Sequence, residues 1–235
     1  TEVSPKDYPR AERLTDYEVG YGFRSRTFTV GLNLYYMDYH DQLVLNGKQS
    51  DVGGKLSENV ASSHRMGAEL NASWKICPML RWDLAGAVSQ NQIKQYHLYA
   101  WSDQAGAEVL TTYDRTPIAY SPQLVLSNTL TFAHRAFEAA LTSQYVGMQY
   151  LDNTGSRERS LPAYHVASLR LGYELPVHFV RSWSISLQIN NLFDAHYSSN
   201  GGAGYTFDKK GAISSYTWTY PQAGIHAFLG TTITI

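Results

Sequence analysis

Several classes of protein are excluded by what this chain lacks. A single cysteine, Cys77, rules out an internal disulfide framework. The net charge of −1 gives no electrostatic basis for binding nucleic acid. No run of about 18 apolar residues is present, so the sequence predicts no transmembrane helix. The amino-terminal segment TEVSPKDYPR is polar and is not a signal peptide, so we expect a mature, processed or partial chain.

Aromatic residues, by contrast, are abundant. Tyrosine occurs 18 times and aromatic residues make up 13% of the chain, although the mean hydropathy is only −0.32. A chain that is rich in aromatic residues but not apolar overall is typical of strands with one apolar and one polar face.

Alternation of apolar and polar residues with a period of two runs through the whole sequence and predicts β-strands. The pattern gives nine strands and no helix, near 17–23, 28–36, 66–74, 82–88, 124–132, 137–145, 167–175, 183–189 and 225–235. Many alternating runs extend over about 10 residues, which matches the ~9–11 residues of a tilted strand that crosses a bilayer.

The connections between these strands alternate in length. Short connections fall near 24–27, 75–81, 133–136 and 176–182, and long ones near 46–57, 95–119, 151–160 and 198–222. An outer-membrane barrel shows this asymmetry, with short periplasmic turns and long extracellular loops. An up-and-down sheet of nine strands should begin on the long-loop side and end on the short-turn side.

Aromatic residues flank each short connection on the apolar face. They are Phe23, Phe28, Trp74, Trp82, Phe132, Phe137, Tyr173 and Trp183. Amphipathic rings at one edge of a sheet are typical of the aromatic girdle at a membrane interface. A soluble β-sandwich is the alternative, because its core face is also apolar and its strands are also evenly spaced.

The carboxy-terminal stretches INNLFDAHY and YPQAGIHAFLGTTITI resemble the end of the TonB-dependent outer-membrane receptors. In that family an Asn-Leu-Phe motif closes the penultimate strand and a Tyr-Pro-x-x-Gly turn opens the last one. The matching residues here are Asn191, Leu192, Phe193, Tyr220, Pro221 and Gly224. Residues 14–45, 64–74 and 143–175 also resemble the family. The chain departs from the family at its last residue, which is Ile235 instead of an aromatic residue.

The resemblance implies an all-β fold, the carboxy-terminal portion of an antiparallel up-and-down transmembrane β-barrel. Residues 1–235 would supply the last nine of about 22 strands, with the amino-terminal plug and the TonB-contacting segment absent from this sequence. The last strand would pair with the first to close the barrel. Asn190 falls in the lumen-facing register. Asn191 falls in the apolar register near the outer rim of the band, or else both asparagines form hydrogen bonds in a bulge.

No group of residues has the spacing of a catalytic or metal site, so we expect no enzyme activity, cofactor or metal. The eight histidines are scattered, and Cys77 is expected to be an incidental thiol in a short turn. The polar face carries charges that suit a water-filled, plugged lumen. These are Glu18, Arg65, Glu69, Asp83, Glu138, Arg170 and Glu174.

Long loops on a rigid scaffold commonly carry ligand contacts. The candidate ligand-binding residues are Tyr96, His97, Tyr99, Trp101, Tyr205, Lys209, Lys210 and Trp218. Aromatic residues with a few cations suit an iron chelate, haem or corrinoid, and they also stack on sugars.

The resemblance therefore implies a receptor in the outer membrane of a Gram-negative bacterium. It would contact outer-membrane lipid, bind a small nutrient molecule, import it with energy from the TonB complex, and bind no nucleic acid. A small stand-alone outer-membrane barrel, either an enzyme or an adhesin, and a soluble β-sandwich binding module are the alternatives.

Overall fold

The protein is described by a computed structural model over residues 9–49, 54–102, 106–207 and 213–235. The strands are β1 (Arg13–Arg24), β2 (Phe28–Gln49), β3 (Lys55–Cys77), β4 (Leu80–Ser102), β5 (Ala107–Pro117), β6 (Leu124–His134), β7 (Phe137–Val146), β8 (Gln149–Tyr150), β9 (Ser160–Leu161), β10 (Tyr164–Glu174), β11 (Ser182–Asn190), β12 (Ser198–Phe207), β13 (Ile213–Pro221) and β14 (His226–Thr234). A 3-10 turn, Arg157–Arg159, precedes β9. Within these ranges no helix has the length and apolar character needed to cross a membrane.

Twelve of the described strands form one sheet, and nine of them make its continuous path in the order β1-β2-β3-β4-β6-β7-β10-β11-β14, with β5 and the β12–β13 hairpin attached to β4. Every neighbouring pair along this path is antiparallel. The predicted all-β, up-and-down arrangement of nine strands is confirmed. Since the direction alternates at each strand, β1 begins on the long-connection side and β14 ends on the short-turn side, as expected.

One face of the sheet is apolar and exposed. Cross-strand pairing joins Phe28 to Trp74 and Trp74 to Trp82, so these girdle candidates share a face. Large apolar side chains elsewhere on this face are open, with Val19 72% and Leu229 79% exposed. An apolar surface of this extent on a sheet is typical of a lipid-facing barrel wall. The register places the eight predicted aromatics on or beside this face, and their depth in a bilayer stays a prediction.

The opposite face is polar and contains two grooves. One groove is lined by Glu18, Arg65 and Glu69, and a second is lined by Arg24, Asn71 and Asp83. The register also shows on which face the remaining predicted lumen charges lie. Arg81, Thr131, Ala140 and Arg170 are successive cross-strand partners, so they share one face. Arg170 therefore shares a face with Arg81, and the predicted assignment of the two faces is confirmed.

The long connections are mostly strands, which differs from the sequence-based expectation. β2, β3 and β4 contain 22, 23 and 23 residues, about twice the length that spans a bilayer. The region predicted as the loop 95–119 is the upper part of β4 paired with β5, and much of 198–222 is the hairpin of β12 and β13. Cross-strand hydrogen bonding continues beyond the membrane-spanning part. There the apolar and polar residues no longer alternate with a period of two, so the sequence pattern does not predict these strands.

The hydrophobic core lies in these upper hairpins. It consists of Val44, Val60, Ile93, Tyr96, Leu98 and Ile118, with Tyr113 packed against it. The lower part of the sheet has one lipid-facing and one lumen-facing side, so few of its side chains are buried. Among the described residues, this core lies where the hairpin of β4 and β5 packs over β2 and β3, and this packing holds the candidate site in place.

Candidate ligand-binding site

Two residues with a left-handed backbone interrupt the strand pairing next to the candidate site. Asp41 in β2 and Gln95 in β4 have positive φ angles of 58° and 52°. Asp41 has no assigned partner between His40 and Gln42, and Gln95 has none between Lys94 and Tyr96, but the register is the same on either side of both residues. Beyond these two positions, Tyr96 and Leu98 of β4 belong to one buried cluster with Val44 of β2.

Tyr96 is the central residue of the upper core. Its side chain is 2% exposed, and its hydroxyl donates to the carbonyl of Leu45 at 2.9 Å. Burial raises the pKa of the Tyr96 hydroxyl, and the carboxylates of Asp152 and Glu58 raise it further. Tyr96 is consequently a neutral donor that joins β4 to β2, and it lines the cavity with its ring.

A cavity of about 440 Å³ lies next to this core, between the upper hairpins. Its wall brings together residues of β2, β4, the β8–β9 region and the β12–β13 hairpin. The aromatic members are Tyr96, Tyr99, Trp101, Tyr120 and Tyr216. Trp101 and Tyr216 are more than half exposed, so their rings are open to a ligand from outside. Three residues that the sequence predicted, Tyr96, Tyr99 and Trp101, meet in this wall.

Two glycines set the orientation of the aromatic residues on β13. Gly202 pairs with Trp218, and Gly204 pairs with Tyr216. A Cβ atom at Gly202 would overlap the indole of Trp218, and one at Gly204 would overlap the phenol ring of Tyr216. Each ring therefore lies across the glycine on the neighbouring strand, and the two rings are 5.9 Å apart. Tyr216 reaches the cavity in this way, and Trp218 lies beside it.

The other predicted ligand-binding residues are placed differently. Nδ1 of His97 lies 3.3 Å from a carboxylate oxygen of Glu58, and His97 is not part of the cavity wall. Tyr205 is on β12 opposite Ser215. Lys209 and Lys210 lie outside the described residues. No sequence pattern separates these residues from Tyr99 and Trp101, because all of them fall in the same two long connections.

An ion pair that sequence reasoning missed closes one side of the cavity. Arg159 and Asp152 are 2.7 Å apart, and both side chains are nearly buried. Arg159 also donates to the hydroxyls of Thr154 and Ser215, which ties the 151–160 segment to β13. Asp152 lines the cavity. An acidic and a basic residue seven positions apart in a polar connection have no distinctive sequence signal.

Tyr120 connects the cavity to the lumen-facing wall below it. It lines the aromatic cavity and also the groove of about 350 Å³ that contains Arg65 and Glu69. Its φ of 54° turns the chain between β5 and β6, and its hydroxyl donates to the carbonyl of Gly201 at 2.9 Å. The aromatic cavity and the polar groove are therefore neighbours, with Tyr120 between them.

The motif residues after β11 form a tight hydrogen-bonded clamp. Asn191 is 2% exposed with φ 49°; its amide donates to the carbonyls of Ala195 and Ala223, and its oxygen accepts from the Ala195 N–H. Asp194 accepts from the Ile225 N–H, and a Cβ at Gly224 would lie 2.5 Å from the Asp194 carboxylate. The lipid-facing placement of Asn191 is wrong, because β11 ends at Asn190 and Asn191 turns inward to bind the backbone.

The other members of the motif surround this clamp. The N–H of Leu192 donates to the carbonyl of Ala167, and the ring of Phe193 stacks on His165. Tyr220 and Pro221 end β13, three residues before Gly224. Asn190 lies opposite His226 and contacts its ring nitrogen at 3.1 Å, in the register of Gln188. The hydrogen-bonding alternative is thus the correct one for Asn191.

Known proteins are similar to this chain in sequence and in fold. The family described as "TonB dependent receptor-like, beta-barrel" matches residues 5–192. The pesticin receptors of Yersinia enterocolitica and Yersinia pestis are 23% identical over 197 residues, which is 81% of this chain and 26% of theirs. The chain thus spans about a quarter of the length of these relatives.

Solved structures show the same fold. The ferric yersiniabactin uptake receptor FyuA of Yersinia pestis superposes with a TM-score of 0.63 at 19% identity, over 94% of this chain and 29% of that one. The copper transporter OprC superposes with a TM-score of 0.65 at 20% identity, over 96% of this chain and 32% of that one. The nine-strand sheet, its two faces and the match over residues 5–192 together show that this chain belongs to the TonB-dependent receptor β-barrel family.

Proposed function

We propose that this chain is part of an outer-membrane receptor of a Gram-negative bacterium that binds a scarce nutrient and imports it with energy from the TonB complex. Membership of the family supports transport and not catalysis. Within the described residues no cluster of His, Cys, Asp and Glu has the arrangement of a metal site. The ligand would accordingly be held by aromatic contact and hydrogen bonds, with any metal carried inside the ligand.

The observation that carries this proposal is the position of the aromatic cavity directly beside the polar groove. A transport receptor has to bind its ligand outside and release it into a water-filled lumen. Tyr120 lines both spaces, so a molecule that leaves the cavity past Tyr120 meets Arg65 and Glu69. Polar and charged lumen residues can replace hydrogen bonds that the ligand loses on leaving the cavity.

The proposed ligand is a planar or aromatic metal chelate, such as a ferric chelate, haem or corrinoid. Tyr99, Trp101 and Tyr216 offer flat π surfaces, and aromatic pairs contribute about 0.5–1.5 kcal/mol each beyond the buried area. The FyuA and OprC structures are described by their names as taking up ferric yersiniabactin and copper. Metal-containing cargo in proteins of the same fold is consistent with this choice.

We further propose that residues 1–235 form one part of a larger barrel. Among the described strands, β1 pairs only with β2 and β14 pairs only with β11, so each has one edge without a partner. Unpaired backbone N–H and C=O groups cost several kcal/mol each in hydrocarbon. Further strands pairing with β1 and β14 would satisfy these edges, in a barrel of about 22 strands around a plug.

The test is growth and uptake in a strain that lacks the gene and carries it back on a plasmid. Under iron limitation, cells with the full-length receptor should take up one of a panel of radiolabelled ferric chelates, haem or cobalamin, and uptake should stop when TonB is deleted. The triple variant Y99A/W101A/Y216A should raise the half-saturating concentration at least about tenfold. The matched control is Phe179→Ala, an exposed aromatic residue on the opposite rim, which should leave uptake unchanged.

Two results would contradict the proposal. Uptake that continues without TonB would indicate a passive pore or a stand-alone barrel. Saturable, energy-dependent uptake by residues 1–235 alone in liposomes would show that no larger barrel is needed.

A further inference from the structure

Three of the four short turns carry an arginine, and none of the four carries negative charge. Between the strands of the main sheet lie residues 25–27, 78–79, 135–136 and 175–181. These segments contain Arg26, Arg135, Arg181 and His178, and no Asp or Glu. The opposite end of the sheet is mixed, with acidic residues such as Asp41, Asp114 and Asp152. The barrel edge made by the short turns is therefore selectively basic.

The three turn arginines share a sequence relation to the aromatic girdle. Each is followed two residues later by an aromatic residue that opens the next strand, in Arg26-Thr27-Phe28, Arg135-Ala136-Phe137 and Arg181-Ser182-Trp183. Phe28 and Phe137 are the first residues of β2 and β7, and Trp183 is the second of β11. The repeat places a guanidinium just outside the apolar band at three separate turns.

These arginines have no side-chain partner in the part of the chain that the structure describes. Arg26, Arg135 and Arg181 are exposed, and none of them forms an ion pair or a side-chain hydrogen bond with the described residues. At the other end of the sheet, Arg10 and Arg13 approach Asp41, and Arg159 is paired with Asp152. The guanidinium groups of the short turns are thus free to bind an external anion.

Their depth matches that of lipid phosphate. Two residues along a strand correspond to ~7 Å, or roughly 5 Å along the membrane normal at a tilt of ~40°. The headgroup layer begins outside the hydrocarbon and is about 5–7 Å thick on each side of the bilayer. With the aromatic rings at their predicted position on the hydrocarbon boundary, the arginines would lie among the phosphates. Guanidinium binds phosphate oxygens in a bidentate manner, which a neutral or acidic turn could not do.

We propose that the short-turn edge of this barrel binds anionic phospholipid of the periplasmic leaflet, with Arg26, Arg135 and Arg181 as three separate phosphate contacts beside the girdle aromatics. Periplasmic turns are the short ones in outer-membrane barrels, which assigns the leaflet. The inference rests on the outer-membrane location in the proposed function, and does not depend on which nutrient is imported.

The test uses the full-length protein in vesicles of phosphatidylcholine, alone or mixed with phosphatidylglycerol. Brominated lipids quench tryptophan fluorescence on contact, and Trp74, Trp82 and Trp183 lie beside the short turns. Comparing quenching by brominated phosphatidylglycerol and brominated phosphatidylcholine gives a relative binding constant. The wild type should prefer phosphatidylglycerol, and the preference should fall as salt screens the charges.

The variant R26Q/R135Q/R181Q should lose most of this preference. A basic residue near an anionic surface contributes about a fivefold change in binding, so three should lower the relative constant by at least about tenfold. The matched control R24Q/R81Q/R170Q removes the same charge from lumen-facing positions and should keep the preference. The variant R26K/R135K/R181K keeps the three positive charges, so it should keep the part of the phosphatidylglycerol preference that depends on charge.

The outcomes separate this inference from the proposed function. Full preference in R26Q/R135Q/R181Q, or an equal loss in the lumen control, would overturn the lipid site while leaving transport untouched. Failure of the protein to insert into any vesicle would overturn the membrane location and this inference together. Loss of nutrient uptake with intact lipid preference would contradict only the transport proposal.

Discussion

At the scale of single residues, the backbone conformation of a few polar side chains decides how the strands end. Asn191 and Asp194 both have positive φ, a region that costs most residues roughly 1–2 kcal/mol and is tolerated best by Asn, Asp and Gly. Both side chains then bind backbone groups of the segment that returns to β14. The strained turn is stable because the same residues that accept the strain also form the hydrogen bonds.

Replacing Asn191 by Leu is expected to destabilise the barrel. The change removes three hydrogen bonds from a buried position and leaves a branched side chain in the left-handed region. A loss of about 2–4 kcal/mol in the free energy of unfolding is expected from urea titration in detergent micelles. Asn191→Gly should recover roughly 1 kcal/mol of this, because glycine relieves only the backbone strain. Equal stability of Asn191→Leu and the wild type would show that the clamp is unimportant.

Gly202→Val is expected to displace the indole of Trp218. No Cβ fits beneath the ring, so the ring has to lift from β12 into water. The fluorescence contributed by Trp218, obtained by subtracting the spectrum of the matching Trp218→Phe protein, should shift to longer wavelength. Gly22→Val is the control, because nothing lies within 4 Å of a Cβ there. An unchanged Trp218 spectrum would mean that the ring does not depend on Gly202.

At the scale of elements, the upper hairpins behave as a separate layer built on top of the barrel strands. They have their own core around Tyr96, and the β12–β13 hairpin reaches back to β4, where Phe207 pairs with Ser102 in the parallel sense. The 151–160 segment is held against β13 through Arg159. The cavity wall is therefore made by contacts between elements distant in sequence, and it should open if one of those contacts is removed.

Arg159→Met is expected to release the 151–160 segment. Removing one member of a buried ion pair typically costs about 3–5 kcal/mol, because the remaining charge loses its compensation. Faster hydrogen exchange of residues 149–161 should follow, with little change in β1 or β2. Arg157→Met lies in the same 3-10 turn but is exposed, so its effect should stay within about 0.5 kcal/mol. Identical hydrogen exchange in the two variants would show that the Arg159–Asp152 ion pair does not hold this segment in place.

At the scale of the whole molecule, the two faces of the sheet meet different solvents. Leu70 belongs to the apolar face and Glu69 lines the polar groove, although they are adjacent in β3. A shift of one residue in register would exchange every such pair between lipid and lumen. Lipid on one face and water on the other thus favour a single register in the part of the sheet that crosses the membrane.

Leu70→Arg is expected to impair folding into a bilayer much more than Glu69→Arg. Leu70 is four residues from Trp74 and lies near the middle of the apolar band. Arginine on the lipid face at that depth costs about 2–4 kcal/mol, whereas a lumen-facing arginine remains hydrated. The measurement is the free energy of folding of the full-length protein into liposomes. A larger cost for Glu69→Arg would show that the faces are reversed.

The sequence by itself determined the strands that cross the membrane and the face that each side chain occupies. Alternation with a period of two is imposed by the pleat, and a bilayer on one side with water on the other makes that alternation visible in residues such as Val19, Glu69 and Leu70. The position of the aromatic residues beside the short turns was equally readable. The family motif around Asn191 was recognised, but its hydrogen bonds were not, because they depend on the backbone of residues 195 and 223.

Only the tertiary structure decided how the upper hairpins pack and which aromatic residues meet. Above the membrane, either face of a strand can be covered by other elements or exposed to water. Alternation of apolar and polar residues therefore no longer indicates which side chains are buried. For this reason the sequence pattern predicts loops in the upper halves of β2, β3 and β4. The left-handed backbone at Asp41 and Gln95, the rings over Gly202 and Gly204, and the contacts of Arg159 with Asp152 and Ser215 depend on this packing. Tyr99, Trp101 and Tyr216 share a cavity while His97 pairs with Glu58, because long-range packing selects among residues that local pattern treats alike.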